Sequence, residues 1–438
     1  MPDTSKSTIP APLPPGPAEP IALDIDLQSQ QAIHRLIGEY GDIFRVRIPG
    51  RDNDTYVVTN PDGIKQILVS NHTNYIKGRG FERVKMLLGN GIIVSDGDFW
   101  RRQRTMIQPA FSRKNIHQMC AMMETVTQQL IPRWQQKADS GEAIDITTEM
   151  SEFALEVILR ALFAEDYDTL LKQRGENPFA FLTDDPSRNL AVAMKFRQLA
   201  PLIQSLITRR RDNNERHHDL LDALMRATDK AGKHMTDKEL IDEVMTMIIA
   251  GHETSAGTLN WVWYELSRHP QAEQAVYDEA AAYVRDDRID IDDVVKLNYT
   301  KQVINEALRL YPPVWLFTRK ALQDDTVAGF HVPAGTDIFL SPFFTQRDPQ
   351  LWEEPEAFKP ERFRDDGRAL KHKYAFLPFS AGSRRCIGEY FSYIEMQTHL
   401  AILMTRFKLQ AVPDQQVELE PGINLRTRHS IFMTLARR

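Results

Sequence analysis

Phe379-Ser-Ala-Gly-Ser-Arg-Arg-Cys-Ile-Gly388 is the stretch on which the fold is decided. Cys386 is one of two cysteines in 438 residues, the other being Cys120, and a helical run from Glu389 to Phe407 follows it directly. A thiolate at a helix N-terminus is stabilised by free backbone N–H groups and by the positive end of the dipole. Gly382 allows a tight turn with the backbone close to a flat ligand, and Gly388 leaves room just past the cysteine. Arg384 can neutralise a carboxylate, and Phe379 can screen the sulfur from water. A lone buried cysteine is ordinarily an inert core filler, the reading we give Cys120 on its Met-rich helix (Met119, Met122, Met123). At Cys386, five specified positions within ten residues override that reading.

Those positions, Phe379, Gly382, Arg384, Cys386 and Gly388, match the Phe-x-x-Gly-x-Arg-x-Cys-x-Gly haem loop of the cytochrome P-450 family, which this sequence resembles. The resemblance implies a mainly α fold, a large helical domain with a small β-rich portion. It also implies haem b with Cys386 as the axial iron ligand, the thiolate pushing electron density onto iron to favour O–O cleavage. Phe379, Gly382, Arg384 and Gly388 then bind the cofactor, with Arg384 on a propionate.

Three further segments extend the likeness. Apolar periodicity predicts one long helix from about Asp237 to Arg268, stopped by Pro270. Near its middle lies Ala250-Gly-His-Glu-Thr-Ser255, similar to the family's oxygen-activation motif. The resemblance implies a widened helical turn in which Thr254 and Glu253 hold O₂ and relay protons to it. Gly251 would let the backbone approach the porphyrin. A zinc-protease reading of His252-Glu253 fails because position 256 is alanine, not a second histidine. A helix over Tyr299–Tyr311 carries Glu306-Ala-Leu-Arg309, an i,i+3 pair on one face. By resemblance, Arg362 of Pro360-Glu-Arg-Phe363 completes a structural triad with Glu306 and Arg309. Trp100-Arg-Arg-Gln-Arg104 is similar to the family's Trp-x-x-x-Arg helix start, so Trp100 and Arg104 are expected at one haem propionate, and Arg319 at another.

Outward from these motifs the chain reads as a single domain over residues 23–438, behind a proline-rich, poorly ordered lead-in at 1–22. A hairpin is expected from Ile43 to Thr59, short strands around Val327–Ile338, and a further hairpin after Pro421. The net charge of -6 argues against nucleic acid or an anionic membrane as partner. Two cysteines form no disulfide framework, and no segment runs apolar for the roughly 20 residues a bilayer needs. A cytoplasmic monomer is expected.

Apolar residues should line the substrate pocket: the loop before Ile92-Ile93, Phe179, Phe181, Met247, Ala250, Val314, Phe317 and the tail near Ile423-Leu425. Such a lining favours a hydrophobic organic substrate such as a fatty acid, terpenoid or steroid-like ring system. The shape of the entrance built by residues 179–208 is left open. No flavin or nicotinamide motif is evident. Electrons drawn from NAD(P)H are therefore expected through a ferredoxin or flavodoxin-type donor with its reductase, docked on Arg101, Arg102, Lys371, Lys373 and Arg385. The reaction implied is insertion of one oxygen atom from O₂ into a C–H or C=C bond. Two alternatives remain: a peroxide-using or isomerising relative, and a haem-binding sensor without catalysis.

Overall fold

The computed structural model of the protein describes residues 11–174, 177–184, 195–367 and 370–438. Helix α1 (Leu27–Tyr40) opens the described fold. Its start is set by the Asp26 carboxylate, which accepts the Ser29 N–H at 2.7 Å, an N-cap that tolerates a polar first turn. β1 (Ile43–Val46) and β2 (Thr55–Val58) form the expected hairpin. With β3 (Tyr75–Lys77), β4 (Phe317–Ala321) and β5 (Asp337–Leu340) they make a five-stranded sheet in the order β1-β2-β5-β4-β3. All four residues of β2 are buried, as suits a strand covered on both faces that also pairs in parallel with β5.

The lead-in is more ordered than its proline content suggests. Along residues 12–21 the backbone is fastened to two hairpins: Arg45 N–H donates to Pro15 O at 2.8 Å and Ile21 N–H to Arg47 O at 2.9 Å beside the first, and His331 N–H, in the separate Asp325–Val327/Phe330–Val332 pair, donates to Pro12 O at 2.9 Å. Proline lacks the donor but keeps the carbonyl, so a proline run can still edge a sheet as an acceptor.

The helical body is built from α2 (Gly97–Ile107), α3 (Arg113–Gln128), α4 (Ile146–Phe163), α5 (Asp237–Arg268), α6 (Asn298–Leu310) and α7 (Glu389–Met404). At 32 residues α5 spans about 48 Å. A capping box starts it, Thr236 and Glu239 exchanging side-chain and backbone hydrogen bonds. Pro270 does more than stop it, since it is the first residue of the next helix, Pro270–Tyr283. α5 packs along α4, and α7 along α3, inside one apolar core. The tail holds β6 (Phe407–Ala411), β7 (Leu419–Pro421), β8 (Leu425–Thr427) and β9 (Phe432–Arg437). β7 and β8 are the anticipated hairpin, whereas β9 returns to pair with β6 and with Ile144–Asp145. Among the described residues no helix is long and apolar enough to cross a membrane.

Candidate functional site

The cysteine loop is held by its backbone. Cys386 N–H donates to Phe379 O at 2.9 Å and Arg385 N–H to Gly382 O at 3.2 Å. Gly382 sits at φ +66°, and a Cβ there would stand 2.0 Å from Leu68 O, so only glycine permits this contact between backbones. Cys386 has an open surface and yet lies deep enough that burial is the largest influence on its thiol, pushing its pKa up. A residue can show both properties where it fronts an internal cleft. Backbone N–H groups of Gly388 and Glu389 reach the sulfur and favour the thiolate, as does nearby Arg104. A Cβ on Gly388 would lie 3.9 Å from Sγ, an ordinary contact distance, so this position abuts the sulfur. The Phe379 ring packs on Tyr393.

Four cations gather beside this loop. Lys77 ends β3, Arg319 lies in β4, Arg104 on α2 and Arg384 in the loop. Lys77 and Arg319 are register partners across β3–β4, a like-charge pair that is unfavourable unless an anion lies against it. Burial, then the charges of Arg319 and Arg384, hold Lys77 well below its ordinary pKa, and burial with the charge of Arg384 brings Arg319 down to about 10. Arg384 is likewise lowered to about 10 by burial and by Arg104 and Arg101, against the pull of Asp96. Burial also lowers Arg104. Among the described residues, Asp96 is the one carboxylate shared by Lys77, Arg319 and Arg384. Desolvated positive charge in this excess fits an anionic ligand with more than one carboxylate, as haem is.

Trp100 lies against this cluster. The Arg384 guanidinium lies 3.7 Å from its ring centroid, donates to Ser95 O at 2.9 Å and pairs with Asp96. Arg104 donates to the Arg385 carbonyl at 3.0 Å. Sequence reasoning missed Lys77 and Asp96, since a strand end and a helix cap carry no motif.

On α5 most residues from Leu240 to Leu266 are buried, but Ile249, Ala250, Glu253, Thr254 and Gly257 keep partial exposure. At this spacing they share one face, so α5 shows a polar-bearing stripe to an open space in mid-core. α5 is regular here: no widened turn interrupts it, and Thr254 Oγ1 donates to Ala250 O at 2.7 Å. The Glu253 carboxylate pairs with Asn424 Nδ2 from the β7–β8 turn. Gly251 does not face the cleft. A Cβ there would meet Ile158 of α4 at 2.9 Å, so this glycine permits the α4–α5 crossing, whereas a Cβ on Gly257 would meet nothing within 4 Å. His252 is bonded to Ser151 at 2.9 Å.

Glu306, Arg309 and Arg362 come together as expected. Arg309 grips both Glu306 oxygens at 2.8 Å, and Arg362 Nε reaches Oε1 at 3.3 Å. Three of the residues expected at the pocket are buried in packed clusters. Phe179 is 0% exposed, packed against Phe163 and Tyr167, and Met247 is core. Phe317 is buried in the sheet's cluster beneath Arg319, and Val314 and Ile423 are exposed. Phe181 is partly buried against the helical core, and Ala250 alone of the six lies on the open stripe. Apolar type identifies a residue that avoids water but not which cavity, if any, it faces. Of the entrance region, residues 185–194 lie outside those described.

The supposed basic patch is largely neutralised. Arg102 turns to Asp229 at 2.7 Å and Glu239 at 2.8 Å, Arg101 pairs with Asp98, and Arg385 chelates Glu389 at 2.5 and 2.6 Å. Lys371 donates to Gln350 O at 2.9 Å.

The loop before Ile92 is stitched to α5. Asp242 accepts Asn90 N–H and Glu243 accepts Ile92 N–H, both at 2.9 Å. Burial raises Glu243 from 4.5 to about 8. The folded protein therefore binds more protons here than the unfolded chain between those values, and stability falls as pH rises through that window. Glu243→Gln should make the fall in melting temperature from pH 5 to pH 8 shallower; an unchanged slope would place the effect elsewhere.

The family model for cytochrome P-450 matches residues 10–181 and 177–430. Pentalenene oxygenase of Streptomyces avermitilis is 32% identical over 396 residues, covering 87% of each chain. Cyclooctat-9-en-7-ol 5-monooxygenase of Streptomyces melanosporofaciens is 32% identical over 85% of this chain and 84% of its own. The crystal structure of the cytochrome P-450DA haem domain superposes with a TM-score of 0.84 at 23% identity, over 98% of this chain and 99% of that one. A relative at this identity and coverage, matching a family model that spans nearly the whole chain, establishes membership: the protein belongs to the cytochrome P-450 family and is a monooxygenase-type oxidoreductase.

Proposed function

We propose that this protein binds haem b through Cys386 and inserts one atom of O₂ into a C–H or C=C bond of a hydrophobic substrate. The observation that carries this reading is a deep-lying sulfur, supplied with two backbone N–H groups, beside a desolvated cation cluster that exceeds its carboxylates. Haem supplies the redox chemistry that splits the O–O bond, which a thiolate ligand promotes.

The chain's own residues do the rest. Arg104, Arg319, Arg384 and Lys77 neutralise the propionates. Gly382 lets the loop lie close on Leu68, Gly388 abuts the sulfur, and Phe379 shields the sulfur. Thr254 already donates its hydroxyl proton to Ala250 O, so towards the cleft its oxygen is an acceptor. Glu253, steadied by Asn424, stands beside it as the group that holds and passes a proton. The names of the Streptomyces relatives refer to an alkene and an unsaturated alcohol, which supports an apolar, cyclic or terpenoid-like substrate. The open apolar positions on the stripe, Ile249 and Ala250, agree with this. Two electrons come from NAD(P)H through a separate ferredoxin or flavodoxin-type donor and its reductase, and the enzyme works in the cytoplasm.

Thr254→Ala is expected to lower product formation on the order of a hundredfold while reductant consumption continues, read as product per NAD(P)H with a surrogate ferredoxin system. Unchanged product per reductant would remove Thr254 from the proton path. Saturable spectral binding of apolar compounds without oxidation under any electron supply would favour a sensor.

A further inference from the structure

Two fully buried side chains on one face of α7 grip α5. Ser255 Oγ lies 2.6 Å from Glu395 Oε2, and Trp263 Nε1 donates to His399 Nε2 at 3.1 Å. Glu395 and His399 are four residues apart and share a helix face, as do Ser255 and Trp263, eight apart. All four are at most 3% exposed. Burial raises Glu395 to about 8 and lowers His399 to about 3, so both are neutral near pH 7. Glu395 Oε1 has no hydrogen-bond partner among the described residues. Simple packing would be served better by leucine at 395, because a buried, half-satisfied acid opposes folding.

What the acid adds is direction. Apolar packing tolerates small rotations and loses uniqueness before it loses stability. One short hydrogen bond between two buried groups specifies a single rotation. Ser255 directly follows Thr254, and Glu395 belongs to the helix that begins three residues after Cys386. The bond therefore ties the acid–alcohol turn of α5 to the element that carries the sulfur loop. Further along α5, Thr147 with Asn260 at 3.0 Å holds the other flank against α4.

We propose that the Ser255–Glu395 pair is a positioning device that fixes the rotation of the Glu253–Thr254 turn relative to Cys386. The proposal rests on the roles assigned above to Thr254 and Cys386. Glu395 touches no reacting atom; it acts through Ser255 on Thr254.

The test uses the haem-loaded full chain as wild type and as Ser255→Ala, Glu395→Gln, Thr254→Ala and the Thr254→Ala/Ser255→Ala pair. Three measurements are made: the thiolate-type band of the reduced carbon-monoxide complex, the decay rate after mixing reduced protein with O₂, and affinity for imidazole as a distal probe. Ser255→Ala should keep the thiolate band and shift both the decay rate and the imidazole affinity by about fivefold, within the range of coupled neighbours. Glu395→Gln keeps a neutral hydrogen-bonding group and should stay within about twofold. In the Thr254→Ala background, Ser255→Ala should change the decay rate no further. An unshifted Ser255→Ala, or an effect that persists without Thr254, overturns the proposal. If Ser255→Ala fails to load haem, Ser255→Cys, which keeps the volume and weakens the bond, is read by the same criteria. Failure of the underlying reading looks different: no thiolate band in wild type, or a decay rate insensitive to Thr254→Ala alone.

Discussion

Changing Cys386 to serine is expected to erase the thiolate-type band from the reduced carbon-monoxide spectrum. It should also cut product formation by at least about a thousandfold, equivalent to about 4 kcal/mol of barrier. The chain should still fold. Nothing in the loop's architecture depends on the sulfur: the Cys386 N–H to Phe379 O bond is made by backbone, Gly382 docks on Leu68 by backbone, and Arg384 is fastened to Ser95, Asp96 and Trp100. An alcohol is a poorer donor to iron and lacks the push that favours O–O cleavage. The remaining cysteine offers no substitute. Cys120 is buried in the helical core, and burial pushes its thiol up to about 11. A thiolate band that survived Cys386→Ser, with the protein folded by circular dichroism, would refute the assignment.

Arg309→Leu should be the most damaging change away from the cleft, destabilising the protein by about 3–5 kcal/mol because it leaves a buried charge without its partner. Glu306 and Arg309 are both 0% exposed. Arg309 also donates to the carbonyls of Gln346 at 2.9 Å, Pro355 at 2.6 Å and Ala357 at 3.1 Å. Its loss therefore strands three acceptors and leaves the buried Glu306 only the longer Arg362 bond and the Lys359 N–H on one oxygen. The damage should reach the cysteine loop through Gln346, a buried residue that sequence reasoning overlooked. Gln346 Nε2 donates to Leu308 O and Arg309 O at 3.0 Å, and its Oε1 accepts Leu377 N–H at 2.8 Å, two residues before Phe379. Haem content and melting temperature should fall together. Arg362→Ala should cost less, since Arg362 is partly exposed and its bond to Glu306 is longer, at 3.3 Å. A loss under about 1 kcal/mol for Arg309→Leu, within the range of an exposed ion pair, would contradict a buried role.

The parts of the molecule legible from its residues are those whose cause is local. The cysteine loop, the 32-residue helix α5, the Glu306–Arg309 pair and the first hairpin each follow from spacing within one turn or one strand pair. Their side chains meet because a helix repeats every 3.6 residues and a strand every two.

Long-range pairing was decided only in three dimensions. Tyr56 stands beside Ile338 in the parallel β2–β5 ladder, and Lys77 opposite Arg319 across β3–β4. No local period encodes either pairing, so Lys77 and Asp96 entered the site unannounced, and Arg102 left the expected patch for Asp229 and Glu239. Gly251 shows the same limit. Its lack of a side chain was evident from the sequence, but its neighbour was not, and the close approach it permits is to Ile158. The sequence by itself determined the family, the sulfur loop and the helix that carries the acid–alcohol pair. The tertiary structure decided which cations crowd one desolvated site, which apolar side chains sit in the core rather than at a cleft, and how α7 holds α5. Those outcomes depend on the energy of packing residues well separated along the chain, which short-range pattern does not contain.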